Sequence, residues 1–307
     1  MKIAKLKNAI VYRATLPAVS IIGNHLAELP FSDIGDTELS RTSFVENPIT
    51  GEIVTPIANG YAVCLRIDEK IIPTQVIKKE SMERIHSLES RLGQRISKVD
   101  KKQITDSVIV DLCKKAFVKT SLIYALYHEK ENLLMVNTTS KRYSSVLCSM
   151  LVKVVGSIKT ETIHISDVKN GLTTRLKNYI DGNQDAFDGF EVGDTIQLSR
   201  MSDQKETIRY SAEHQSVCSE IEESLGSGFS VDNIQLFSNG TGFLLTENFH
   251  FKRIDTKSAE SSDDEDKAFI WRQAAGTDLF LMTDVINKLC KLLSYKEPSL
   301  DESQPPK

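Results

Sequence analysis

Between residues 78 and 119 the chain carries eleven basic side chains against six acidic ones, a net charge of +5 over 42 residues. The basic residues are Lys78, Lys79, Arg84, Arg91, Arg95, Lys98, Lys101, Lys102, Lys114, Lys115 and Lys119. Lysine and arginine attract phosphate through charge and hydrogen-bond donation, and they need no particular order of bases to do so. Many of these residues alternate with Glu83, Glu89 and Asp106, so the stretch also reads as an ordinary solvated helical face. No helix-turn-helix signature, zinc finger or aromatic RNA-binding motif accompanies the charge. Any nucleic acid bound here is expected to be held by its backbone.

Catalytic groupings do not emerge from the same reading. The chain has no GxxxxGK[ST] loop, no GxGxxG after a strand, no GxSxG elbow and no HExxH. Gly226-Ser-Gly228 closes a helix without a second helix whose N-terminus would hold phosphate. The six histidines are dispersed, and no two of them stand at metal-ligand spacing. The acidic run Asp263–Asp266 has the charge for a divalent metal. A metal-dependent nuclease needs carboxylates fixed on rigid elements, so this run reads as solvated. The expectation is a protein that is not an enzyme and uses no cofactor, although a site assembled from distant residues stays open.

The net charge of −4 hides a strong asymmetry. Residues 1–77 sum to −1, residues 78–180 to +9 and residues 181–307 to −12. Exposed charges are screened beyond roughly 8 Å at physiological salt, so local sign decides what each surface attracts. Five widely spaced cysteines without a CxxC pair suggest small buried hydrophobes rather than zinc or disulfides. The basic N-terminus lacks a following apolar run, and no stretch is long and apolar enough for a membrane span. A cytoplasmic protein is expected.

The elements that must position the charges are helices and strands without a βαβα rhythm, which gives an α+β class. Strands are expected near residues 8–13 and 61–67, with a helix over Ser20–Leu29, a polar loop after it, and a turn at Asp68-Glu69-Lys70. Met82, Ile85, Leu88, Leu92 and Ile96 recur at helical spacing. After a break at Val99-Asp100, an Asp100/Gln103 capping box opens a second helix with Ile104, Val108, Leu112 and Ala116 inward. Together these predict a projecting basic αα-hairpin at about 76–117.

Strands at 117–128 and 133–137 follow, joined by a turn at Glu129–Asn132, then a Ser140-capped helix ended by Gly156. Further on, a strand at Glu161–Ile165 and a helix at Leu172–Ile180 precede strands at 195–199, 207–211, 231–237 and 243–251. Asn239-Gly240 should turn between the last two strands, and helices are expected at Val217–Leu225 and Thr283–Leu293. The expected organisation is an N-terminal α+β region over 1–165 and a C-terminal one over 166–295. An exposed loop is expected at 255–267 and a disordered tail at 296–307.

Several segments, in one order, resemble the RdgC family. They are Lys7–Arg13, Ala58–Arg66, Glu69–Pro73 with Val76-Ile77, the basic hairpin ending in Lys115-Ala-Phe117, Ile208-Arg209, and Asp278–Thr283. The resemblance implies mixed antiparallel sheets and a dimer closed into a ring with a positive hole wide enough for duplex DNA. It also implies binding with little sequence preference, restraint of a RecA-type recombinase, and a nucleoid-associated location. Carried over, the hairpin cations become candidates to line the hole, Arg209 a weaker phosphate contact, and Phe117 a candidate for the ring-closing interface. A core position at a helix-to-strand junction is the other reading of Phe117. The chain departs from the family at Phe44, where tryptophan is usual, at Tyr210–His214, where basic residues are usual, and in its acidic 255–267 loop. Two rivals follow: a regulator that contacts the recombinase directly with little DNA affinity, and a metal-dependent nuclease.

Overall fold

The computed structural model describes residues 5–29, 31–156, 160–163, 171–211, 218–256 and 266–294. Strand β1 (Ala9–Ala14) alternates between two buried environments. Ala9 and Val11 join one apolar cluster while Ile10, Tyr12 and Ala14 join another, the two-residue period of a strand covered on both faces. Helix α1 (Val19–Ala27) sends Ile22 and Leu26 into the second cluster.

The expected polar loop after α1 contains two strands, β2 (Ser40–Val45) and β3 (Val54–Ile57), both paired with β4 (Gly60–Lys70). Their sequences are weakly apolar, and pairing with a neighbour defines them. Strand β4 runs straight through the expected turn at Asp68-Glu69-Lys70. Its charges find partners instead of solvent: buried Asp68 accepts hydrogen bonds from Arg66 Nε at 3.0 Å and Thr120 Oγ1 at 2.7 Å.

Helices α2 (Thr74–Leu92) and α3 (Lys98–Cys113) lie between β4 and its antiparallel partner β5 (Val118–His128). There follow β6 (Leu133–Val136), α4 (Lys141–Val155), β7 (Thr160–Thr162), α5 (Leu172–Ile180) and a short 3-10 turn at Gln184–Phe187. The rest comprises β8 (Glu191–Met201), β9 (Lys205–Ser211), α6 (Cys218–Gly226), β10 (Ser230–Ser238), β11 (Thr241–Thr246), β12 (His250–Asp255) and α7 (Lys267–Leu292).

These strands form a twelve-stranded sheet ordered β2-β4-β5-β6-β1-β12-β11-β10-β8-β9, with β3 on β4 and β7 on β1. Every pairing given is antiparallel. Helices α1 and α4 pack into the cluster on one face, and α5, α6 and α7 into the other. The α+β class holds, with one large antiparallel sheet at its centre.

Three further expectations change. The strand expected over 243–251 is two, β11 and β12, because the chain turns back at Phe249 with a positive φ of 57°. The closing helix begins at Lys267 rather than Thr283, since Trp271, Ala275, Leu279, Met282 and Ile286 are all buried at helical spacing. Gly276 interrupts that pattern in the sequence. Its missing side chain lets Ala58 approach, since a Cβ there would lie 3.1 Å from that of Ala58. Cys64, Cys113, Cys148 and Cys290 are buried as expected, whereas Cys218 is only half-buried.

Other local readings hold. Asn239 and Gly240 both have positive φ, as a tight hairpin turn requires. The loop over 257–265 and the tail from residue 295 lie outside the described residues, as do residues 164–165 of the strand expected after Gly156. Ser140 caps α4 by accepting from the Tyr143 amide at 3.3 Å. Ser140→Ala should lower the unfolding free energy by about 1 kcal/mol in urea titration. An unchanged midpoint would show that the cap contributes nothing.

Candidate nucleic-acid interface

Pro73 ends the extended run from β4 and starts α2, and Gly93 ends it in the left-handed region at φ 65°. Ile96 therefore lies beyond the helix that its spacing suggested. The cap of α3 is Ser97, not Asp100: Ser97 Oγ accepts from the Asp100 amide at 3.2 Å and donates to the Asp100 carboxylate at 2.7 Å. The break thus falls earlier than Val99, where glycine and a hydroxyl cap coincide.

Helices α2 and α3 pack on each other and contribute to neither core cluster. On α3, Val108 is buried and Ile104 and Leu112 half-buried, as the spacing predicts, while Ala116 falls past the helix end. On α2 only part of the expected apolar face is packed. Met82 and Leu92 are exposed, and the buried residue is Ser81, flanked by half-buried Ile77, Ile85 and Leu88. Two helices without a third layer hide only a narrow seam, so part of the apolar stripe stays in water.

The cations fall into several groups. Lys78 and Lys79 stand in the first turns of α2, pointing about 100° apart. Arg84 and Arg91 line an open groove of about 470 Å³ between the helices, with Leu88, Ile104, Ser87, Ser107 and Glu83. Arg95 lies in the connection, and Lys98 and Lys102 sit one turn apart on α3. Lys114 and Lys115 close α3, and Lys119 is the second residue of β5.

Two of the eleven are occupied. Arg84 pairs with Asp111 at 2.8 Å and Glu80 at 3.4 Å, and Lys101 with Glu89 at 3.0 Å. The Arg84 hydrogen bond holds the Asp111 carboxyl below its usual range, and Lys101 does the same for Glu89. These two cations brace the helix pair. The remaining nine are exposed and form no ion pair with another described residue.

Arg209 is exposed on β9, the far edge of the sheet, seven strand steps from β5. At about 4.8 Å per step the path along the sheet between them is on the order of 30 Å. The structure does not bring it to the other cations. Phe117 is 85% exposed between α3 and β5, with exposed Ile71 and Val118 close in the fold. The core reading of Phe117 therefore fails within a single chain.

Among the described residues no three His, Cys, Asp or Glu side chains are grouped so as to hold a metal ion. Asp263–Glu265 lie outside those residues, and Asp266 caps α7 by accepting from the Ala268 and Phe269 amides. No described helix is long and apolar enough to cross a membrane.

Sequence reading missed one cationic neighbour of Lys119. Arg142, at the start of α4, pairs with Glu69 at 2.7 Å, and Glu69 stands opposite Lys119 across the β4–β5 ladder. The 72 residues between Glu69 and Arg142 hide that contact from any local pattern.

The family model described as "Putative exonuclease, RdgC" matches residues 5–295. The recombination-associated protein RdgC of Psychromonas ingrahamii is 28% identical over 295 residues, covering 92% of this chain and 94% of that protein. The protein of the same name from Proteus mirabilis is 26% identical over 293 residues, with the same coverage of both chains. That of Shewanella piezotolerans is 26% identical over 254 residues, 81% of this chain and 82% of the relative. With nearly its whole length matched, this chain belongs to the RdgC family.

Proposed function

We propose that the protein binds double-stranded DNA without reading its sequence, as a homodimer closed round the duplex, and modulates RecA-type homologous recombination by occupying DNA. The observation that carries this reading is the set of nine exposed cations, none ion-paired to another described residue, on and beside a basic helix pair that contributes to neither core cluster. Such an element can present charge to phosphate at little cost to the core. Exposed Phe117 with Ile71 suits a contact between two copies. The relatives' name, recombination-associated protein, supplies the process. No catalytic step is assigned to it.

The test is fluorescence-anisotropy titration of two unrelated 30-base-pair duplexes from about 50 to 300 mM salt. Equal affinities and a slope of roughly −4 or steeper in log K against log salt are expected, since each neutralised phosphate adds about −0.9. The −12 charge of residues 181–307 favours a second reading, a regulator that touches the recombinase with little DNA affinity. Absence of binding at low salt would leave that reading in place. Nicking of supercoiled DNA with magnesium or manganese would restore the nuclease.

A further inference from the structure

We propose that Arg142, together with Lys119, forms a phosphate-contacting site on the body of the protein that continues the hairpin's basic surface onto α4. The inference rests on the DNA-binding reading and adds to it a place where the duplex backbone meets the sheet rather than the hairpin.

The geometry starts from Glu69. Its side chain shares a face of the sheet with Lys119, the residue opposite it on β5. Glu69 accepts a hydrogen bond from Tyr143 Oη at 2.6 Å, and its other oxygen pairs with Arg142 at 2.7 Å. Both carboxylate oxygens are thereby used on α4. The Tyr143 hydrogen bond, then Arg142 and Lys119, hold the carboxyl below its usual range, so it stays ionised and keeps its grip.

One carboxylate therefore faces two cations, and Lys141 beside them adds a third positive charge with no acid in that helical turn. The Arg142 side chain is 67% exposed although it is anchored. A guanidinium carries five donors in a planar fork, and one ion pair leaves several pointing to solvent. An arginine held in place yet open on its outer side suits a phosphate oxygen, since little rotamer freedom is left to lose on binding. Lys114, Lys115 and Lys119 lie between the end of α3 and this point in the chain, on either side of exposed Phe117.

The experiment compares the full chain with Arg142→Ala and Arg142→Lys in the same anisotropy titrations. Arg142→Ala is expected to weaken binding roughly tenfold near 100 mM salt and to make the salt slope shallower by about 0.9. Arg142→Lys should recover most of both. Pairing with Glu69 alone, without phosphate contact, would shift the melting temperature slightly and leave the slope unchanged. If the wild-type chain binds and Arg91→Glu weakens it while Arg142→Ala changes neither affinity nor slope, this site is wrong and the DNA-binding reading survives. If the wild-type chain shows no salt-dependent binding, both fall together.

Discussion

Reversing three charges at once, Arg91→Glu, Arg95→Glu and Lys98→Glu, should lower affinity for duplex DNA by roughly 500-fold or more near 100 mM salt. The slope of log K against log salt should fall by about 3, because each lost phosphate contact removes about 0.9 and each new carboxylate repels the backbone. The three residues suit this test for a structural reason. All are exposed, and none is ion-paired to another described residue, so the fold should lose little when they change. Circular dichroism and the melting curve are expected to match wild type, as surface substitutions away from packed features usually do. Arg84 would be a poor choice, because its pairs with Asp111 and Glu80 brace the hairpin. Its loss would mix a folding effect with a binding one. Arg209→Glu serves as the contrast: at the far edge of the sheet it should change affinity far less. A triple variant that binds like wild type would remove the hairpin from the interface.

The charge partition and the two helices α2 and α3 are legible in the sequence because both are local. A run of lysines and a helical spacing need no knowledge of what lies opposite. The errors arise where a neighbour in space decides. Asp68-Glu69-Lys70 looks like a turn until Thr120, Arg66, Tyr143 and Arg142 are placed around it, and then it is the end of a long strand. Strands β2 and β3 have little apolar pattern of their own and exist through β4. Gly276 and Thr277 break the apolar stripe of α7 in the sequence, although the glycine is there to admit Ala58. The candidate interface follows the same division. Its hairpin cations could be read off directly, while Arg142 enters only through the pairing of Glu69 with Lys119 across a ladder. Only motif likeness points to Arg209, and the sheet order sets it apart.

Asp278→Ala is expected to lower the unfolding free energy by about 2–6 kcal/mol, because two buried groups lose their acceptor and each such loss costs about 1–3 kcal/mol. Asp278 lies on the buried side of α7, with one oxygen accepting from the Leu6 amide at 3.0 Å and the other from Thr256 Oγ1 at 2.6 Å. It thus ties the lead-in to β1 and the exit from β12 to the same turn of helix. The family resemblance at Asp278–Thr283 therefore falls on a structural tie, at least at its first residue. Burial pushes the Asp278 carboxyl up, and the bonds from Thr256 and Leu6 offset only part of that. A carboxyl raised in the folded state contributes stability that is complete below its unfolded value of about 3.9. That contribution is lost as pH rises through the folded value. Asp278→Asn keeps one acceptor and cannot ionise, so it should cost less than alanine and abolish this pH dependence. Urea unfolding of the three proteins at pH 7 and near pH 4.5 separates the two effects. Wild type should gain on the asparagine variant as pH falls, while the alanine variant stays weakest at both. An alanine variant as stable as wild type at pH 7 would mean that β1 and β12 are held to α7 by packing alone.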